Sequence, residues 1–213
     1  MPEIYVLDTS AFTDPRLREK LGTSTLNETI KALIDLLTKA RVRLGLSLYI
    51  PPTTAEELRR FLIRNNVDKT IVDRLISVLT VRSPDLYGIK LPAIILSNWI
   101  KDLRTRITKG LRVAEDMVRK TIKLGYEAKE KDELDEILAE SIHDLREKYR
   151  EATRKGIVDT DVDLDIIILA FELGGEVVTN DEGIMRMCRE LGVRYIDPIS
   201  FVNRLEMMLE SLG

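Results

Sequence analysis

Three aspartates in this 213-residue chain stand where an apolar run begins or ends. Asp8 closes the run Ile4–Leu7, Asp163 opens the segment leading into Ile166–Phe171, and Asp181 follows Val177-Val178-Thr179 across Asn180. In a parallel sheet the carboxyl ends of all strands lie on one edge, the edge where ligands bind. Aspartates at neighbouring strand ends therefore converge, and carboxylates a few Å apart cannot all ionise freely. A hard divalent cation, Mg²⁺ or Mn²⁺, cancels that repulsion, because it prefers oxygen ligands and keeps waters that serve hydrolysis. A lone acid at a strand end is ordinarily a turn or cap residue; three in matched positions point to metal-assisted chemistry. Removing one of them is expected to hold or raise the melting temperature, since it relieves repulsion.

Further acids crowd around Asp163, in Asp159-Thr160-Asp161-Val162-Asp163-Leu164-Asp165. Some of these are expected to cap a helix or occupy its first turn, where its dipole favours them. Asp159 and Asp163 are four apart, as are Asp161 and Asp165, and on a helical turn either pair shares a face. Spacing alone does not choose between them. Glu57 has two readings: an additional ligand, or the acid of a capping box formed by Thr53 and Thr54 with Glu56 and Glu57. Ser10 and Asn180 flank the acids and are candidates to hold a carboxylate by hydrogen bonds.

Other chemistry is narrowed by what is scarce. The chain has a single histidine, His143, and a single cysteine, Cys188, so a mechanism needing a histidine base plus other histidine ligands, a disulfide framework and a thiolate zinc cage are all excluded. A phosphatase with an aspartyl nucleophile would want a second acid two residues after Asp8, where Ser10 stands. Apolar residues reach 44% and charged residues 32%, a globular composition, and the net charge of −3 averages over opposite patches. No apolar run is long enough to span a membrane, and the N-terminus lacks a basic leader, so a cytoplasmic protein is expected.

The positioning elements alternate. Strand patterns at Ile4–Leu7, Leu46–Ile50, Glu176–Thr179 and Val193–Ile196 are separated by helical patterns at Thr25–Lys39, Asp68–Leu79, Asp163–Leu173 and Ile184–Leu191, with a last helix from Pro198. The class is α/β, a parallel sheet flanked by helices. Residues 93–155 break the rhythm and read as an inserted helical hairpin, leaving 1–92 and 156–213 as one domain. Its first arm, Lys101–Lys123, carries eight bases against three acids; its second, Glu127–Glu147, nine acids against three bases, with a break expected near Gly125. Opposite charge would draw the arms together. The stripe Leu103, Ile107, Leu111 and Ala114 exceeds what one short partner helix needs, so a homo-oligomer through the insertion is expected.

Leu7-Asp8-Thr9-Ser10, Glu57-Leu58, Asp163 followed by Ala170-Phe171-Glu172-Leu173-Gly174, and Val178-Thr179-Asn180-Asp181 resemble, in that order, the PIN-domain nuclease pattern. With the long insertion and the Asp161-Val162-Asp163-Leu164-Asp165 run, the whole chain resembles the minimal protein-only ribonuclease P (HARP) family, also known as RNA ligase partner proteins. The resemblance implies a PIN-like fold with a helical spike, and a Mg²⁺- or Mn²⁺-dependent endoribonuclease that removes the 5′ leader from precursor tRNA. It implies catalytic, metal-holding acids at Asp8, Asp159, Asp163 and Asp181; Ser10, Glu57, Asp161 and Asn180 stand beside them as candidate supporting positions from the residue pattern. The competing expectations are another PIN endoribonuclease, toxin-like or acting on ribosomal RNA, and a non-catalytic partner of an RNA ligase.

Overall fold

The computed structural model describes residues 3–90, 92–127, 130–154 and 160–212. The chain divides into two compact units, Met1–Lys90 with Val158–Gly213, and Leu91–Ile157. The expected junction at 155–156 and the acid Asp159 lie outside the described residues.

The first unit is built on five parallel strands: β1 (Ile4–Leu7), β2 (Ser47–Ile50), β3 (Thr80–Val81), β4 (Glu176–Val178) and β5 (Arg194–Ile196), in the order β3-β2-β1-β4-β5. Val6 pairs with Tyr49 on one side and Val177 on the other, so β1 is central and its apolar run is buried on both faces. Side chains alternate across it. Tyr5 and Leu7 join Leu48, Ile50 and Val178 under α3 (Leu26–Leu44), α5 (Lys69–Val78) and α10 (Pro198–Glu210); Val6 and Val177 lie under α8 (Asp161–Leu173) and α9 (Glu182–Leu191). The sheet is thus covered on both faces, as the alternating pattern required. The sequence pattern did not reveal β3, two exposed residues, or the short helices α1 (Ser10–Thr13) and α2 (Arg16–Lys20), because such brief elements carry no period to read.

Two helix starts bear on the site. The capping box at Thr53 and Thr54 is not formed: α4 spans Pro52–Arg64, with Pro51 as N-cap and no side-chain cap bond. Proline at the first helical position has its φ preset and no N–H to satisfy, so the helix begins before either threonine. That removes the capping explanation for Glu57. At α8, Thr160 is the N-cap and its hydroxyl accepts the Asp163 N–H at 3.2 Å.

The second unit is an antiparallel pair, α6 (Ala93–Glu127) and α7 (Lys131–Arg154). The break expected near Gly125 falls a little beyond it: α6 runs through Gly125 to Glu127, and α7 begins at Lys131. One glycine costs a helix about 1 kcal/mol, too little to end 35 residues of it. A Cβ at Gly110 would collide with the Tyr149 ring at 2.7 Å, so this glycine lets α7 approach closely, whereas one at Gly125 would only touch Leu134 Cδ1 at 3.4 Å. Lys120 Nζ meets Asp144 across the pair at 3.2 Å. The expected apolar stripe divides in two: Leu103 and Ala114 are half-buried, whereas Ile107 and Leu111 are exposed. The exposed part continues along the same helix face as Leu96, Ile100, Val118 and Ile122.

Candidate active site

β1 ends in Asp8, whose N–H still donates to Val178 O at 3.1 Å, so the carboxylate leaves the sheet at its carboxyl edge, between the ends of β2 and β4. The side chain is 8% exposed and receives three hydrogen bonds. Oδ1 accepts the Thr9 N–H at 2.6 Å; Oδ2 accepts the Ser10 hydroxyl at 2.7 Å and the Thr179 hydroxyl at 2.8 Å. Burial raises the pKa of Asp8 above the ordinary carboxylate range, and these hydrogen bonds oppose the rise.

Glu57 reaches the same edge from α4, which follows β2. Its pKa is raised, first by partial burial and second by the negative charge of Asp8, so the two acids stand near enough to repel. The Thr9 hydroxyl moderates the rise, yet this buried oxygen makes no hydrogen bond of ordinary length among the described residues. A buried polar atom without a partner, beside two carboxylates that disfavour each other's charge, is the environment a cation relieves. Every donor here is an oxygen, which suits Mg²⁺ or Mn²⁺ and not zinc. Among the described residues no three acidic, imidazole or thiol groups are gathered closely enough to enclose a metal ion. Mg²⁺ does not demand such a cage, since it is commonly held by one or two carboxylates and completed by waters and substrate phosphate.

Across β1 from Glu57, β4 delivers Thr179-Asn180-Asp181. Thr179 is fully buried, and its hydroxyl oxygen, which donates to Asp8, also accepts the Asp181 N–H at 3.0 Å. The Asn180 N–H donates to Ser10 Oγ at 3.0 Å, and its side-chain amide donates to Asp14 Oδ2 at 3.0 Å. Asp181 is the N-cap of α9: its Oδ1 accepts the N–H groups of Gly183 at 2.7 Å and Ile184 at 3.0 Å. This overturns the expectation that every aspartate could be removed without loss of stability, because deleting an N-cap costs about 1 kcal/mol.

α8 leads into β4 through Gly174, so its first turn lies at the carboxyl edge. There Asp163 is half-buried and Asp161 exposed, with the Val162 N–H donating to Asp161 Oδ1 at 3.1 Å. Asp165 accepts the Thr53 hydroxyl at 2.8 Å, which ties α8 to α4. Thus Asp8, Ser10, Asn180 and Asp181 join one hydrogen-bonded network and Glu57 faces it, while Asp161 and Asp163 stand on α8. Sequence reasoning missed Thr179 and Asp14 as members. Thr179 had a signal: a hydroxyl directly after the apolar pair Val177-Val178 must find a partner once buried. Asp14 had none.

A family model described as a PINc domain ribonuclease matches residues 4–210. A protein of Staphylothermus marinus named RNA-free ribonuclease P is 54% identical over 98% of this chain and 97% of its own length. Proteins of the same name from Hyperthermus butylicus and Methanocaldococcus jannaschii are 41% and 37% identical, each over 97% of this chain and over 88% and 92% of their own lengths.

Proposed function

Because the chain belongs to the PINc domain ribonuclease family, with relatives named RNA-free ribonuclease P that match it almost end to end, we propose that it is an endoribonuclease that removes the 5′ leader from precursor tRNA without an RNA subunit. The observation that carries this reading is the extent of the likeness, which takes in the insertion as well as the sheet unit. A toxin-like or ribosomal-RNA nuclease gains no support from it, and neither does a non-catalytic ligase partner. Such a partner would have no reason to bury Asp8 and set Glu57 against it. Processing of precursor tRNA fits a cytoplasmic site of action, and among the described residues no helix is long and apolar enough to cross a membrane.

We assign Mg²⁺ or Mn²⁺ to Asp8 and Glu57, with Asp163, Asp181 and Asp159 as the remaining catalytic candidates. Such an ion supplies charge to the phosphate in its transition state and acidity to a water. The chain's own contribution is geometric. Thr9, Ser10 and Thr179 fix Asp8 in one orientation. Water attacks the phosphorus, the bond to the leader's 3′-oxygen breaks, and the products are a 3′-hydroxyl leader and a 5′-phosphate tRNA.

The insertion supplies the binding surfaces. Lys101, Arg104, Lys109, Arg112, Arg119 and Lys123 are exposed on α6 and make no ion pair among the described residues, which suits the phosphates of an A-form helix recognised by shape. The uncovered row Ile100, Ile107, Leu111 and Val118 supports self-association. The test is incubation with 5′-labelled precursor tRNA and Mg²⁺: a single leader product ending in a 3′-hydroxyl is expected. An intact substrate, or leader ends bearing phosphate, would refute the reading.

A further inference from the structure

Asp14 lies six residues beyond the central carboxylate, at the turn between α1 and α2, and its carboxylate is almost wholly buried beside an exposed arginine. Arg16 grips it from three directions. The Arg16 N–H and Nε each donate to Oδ1 at 3.0 Å, and Nη2 donates to Oδ2 at 2.6 Å. A carboxylate so clamped has one orientation. Nε also reaches Oδ2 at 3.1 Å, and from the far side the Asn180 amide donates to Oδ2 at 3.0 Å across 166 residues of sequence. A carboxylate only accepts, so it dictates which end of the Asn180 amide faces it. Asn180 in turn donates its backbone N–H to Ser10 Oγ, which leaves the Ser10 hydroxyl hydrogen to go to Asp8 Oδ2.

We propose that Asp14 is a positioning residue of the nuclease site, acting through Asn180 and Ser10 to fix the orientation of the Asp8 carboxylate. The inference rests on the nuclease reading above. Arg16 braces Asp14, Asp14 aligns Asn180, Asn180 sets the Ser10 hydroxyl, and Ser10 holds Asp8. The relay also staples the loop after β1 to the loop after β4, the two loops that carry Asp8 and Asp181. The competing account is a plain staple, in which Asp14 only stabilises the turn into α2.

Asp14→Ala and Asp14→Asn separate the two. Both lose the charged pair with Arg16, so both melt at a lower temperature than wild type. Only Asp14→Asn keeps an oxygen that can accept from Asn180. Positioning predicts that Asp14→Ala slows single-turnover cleavage of precursor tRNA about 10- to 100-fold with RNA affinity unchanged, the usual effect of losing a residue behind a ligand. Asp14→Asn recovers most of that rate despite its lower melting temperature. Asn180→Ala slows cleavage to a similar degree, and the double variant Asp14→Ala/Asn180→Ala is no slower than the slower single. Calorimetry with Mn²⁺ on the RNA-free protein gives a readout independent of turnover: weaker binding in Asp14→Ala, near-wild-type binding in Asp14→Asn. If Asp14→Ala cuts at the wild-type rate below its melting temperature, or if both variants lose rate in step with stability, Asp14 is only a staple and the proposal is wrong. Should wild type itself leave precursor tRNA intact, the nuclease reading fails first, and the Mn²⁺ comparison still decides whether Asp14 orders the carboxylates.

Discussion

The Thr179 hydroxyl donates to Asp8 Oδ2 at 2.8 Å, joining residues 171 positions apart in the chain. The same oxygen accepts the Asp181 N–H at 3.0 Å, so one buried side chain sets both the acid that ends β1 and the loop that bears the next. Thr179→Val keeps the shape and removes both bonds. We expect it to cost about 1–3 kcal/mol, because it leaves the buried Asp8 carboxylate short of a partner and frees the Asp181 N–H from its acceptor. Cleavage should slow about 10- to 100-fold. Thr179→Ser should restore both properties. Calorimetric melting and single-turnover rates check this, and a Thr179→Val protein with wild-type rate would remove the threonine from the site.

Asp8 carries a raised pKa because it is buried, so its ionised form is less favourable folded than unfolded. The unfolded carboxyl titrates at about 3.9, and the folded one higher. In the metal-free protein, stability therefore falls as pH rises above about 3.9 and through the folded pKa. Glu57 adds to the same trend through burial and the charge of Asp8. Asp14 works oppositely: Arg16 lowers its pKa, so its contribution is present at neutral pH and lost on acidification through its depressed folded value. Asp8→Asn should thus be more stable than wild type at pH 7 in EDTA, with the gap closing near pH 4. Its amide oxygen can face the Thr9 N–H while its nitrogen donates to the Ser10 and Thr179 hydroxyls. Urea melts at the two pH values check this; equal stability at pH 7 would contradict it.

Asp181 holds a cap as well as a place in the candidate site. Asp181→Ala should lose cleavage and about 1 kcal/mol of stability, whereas Asp181→Asn should lose cleavage and keep most of the stability, since asparagine caps nearly as well. Melting curves beside leader-release assays distinguish the two. Full activity in Asp181→Asn would take the residue out of the catalytic set.

For the insertion, replacing Ile107, Leu111 and Val118 together by Glu should shrink the particle seen in light scattering and weaken precursor-tRNA binding. All three are exposed on one face of α6, so the hairpin itself should keep its helical circular dichroism. Leu103 is left alone because it is half-buried against its neighbours. A wild-type protein that is monomeric at micromolar concentration would overturn this account of the stripe.

Much of this was legible in the sequence, for physical reasons. The runs Ile4–Leu7 and Val177-Val178 put apolar residues on both faces, which marks central parallel strands, and the acids that follow them had to share an edge. What spacing could not convey was partner choice. Asp163 and Asp165 differ by two residues on one helix, yet Asp165 is bound to Thr53 from α4, a tertiary contact with no local signature. The capping box failed because Pro52 fixed the helix start through its ring, a stronger constraint than a hydroxyl's preference. Asp14 went unread because its meaning depends on Asn180 being folded back onto it.

The central claim is that carboxylates around Asp8 hold a divalent ion that contacts the phosphate being cut. The most direct measurement is the single-turnover rate on precursor tRNA carrying a phosphorothioate at the scissile phosphate, in Mg²⁺ and in Mn²⁺. Sulfur is a poor ligand for Mg²⁺ and a better one for Mn²⁺. The account predicts that wild type cuts the sulfur-substituted RNA slowly in Mg²⁺, that Mn²⁺ restores the rate, and that Asp8→Asn shows no restoration. Cleavage at full rate in EDTA, or an Asp8→Asn protein that Mn²⁺ restores as fully as wild type, would contradict it.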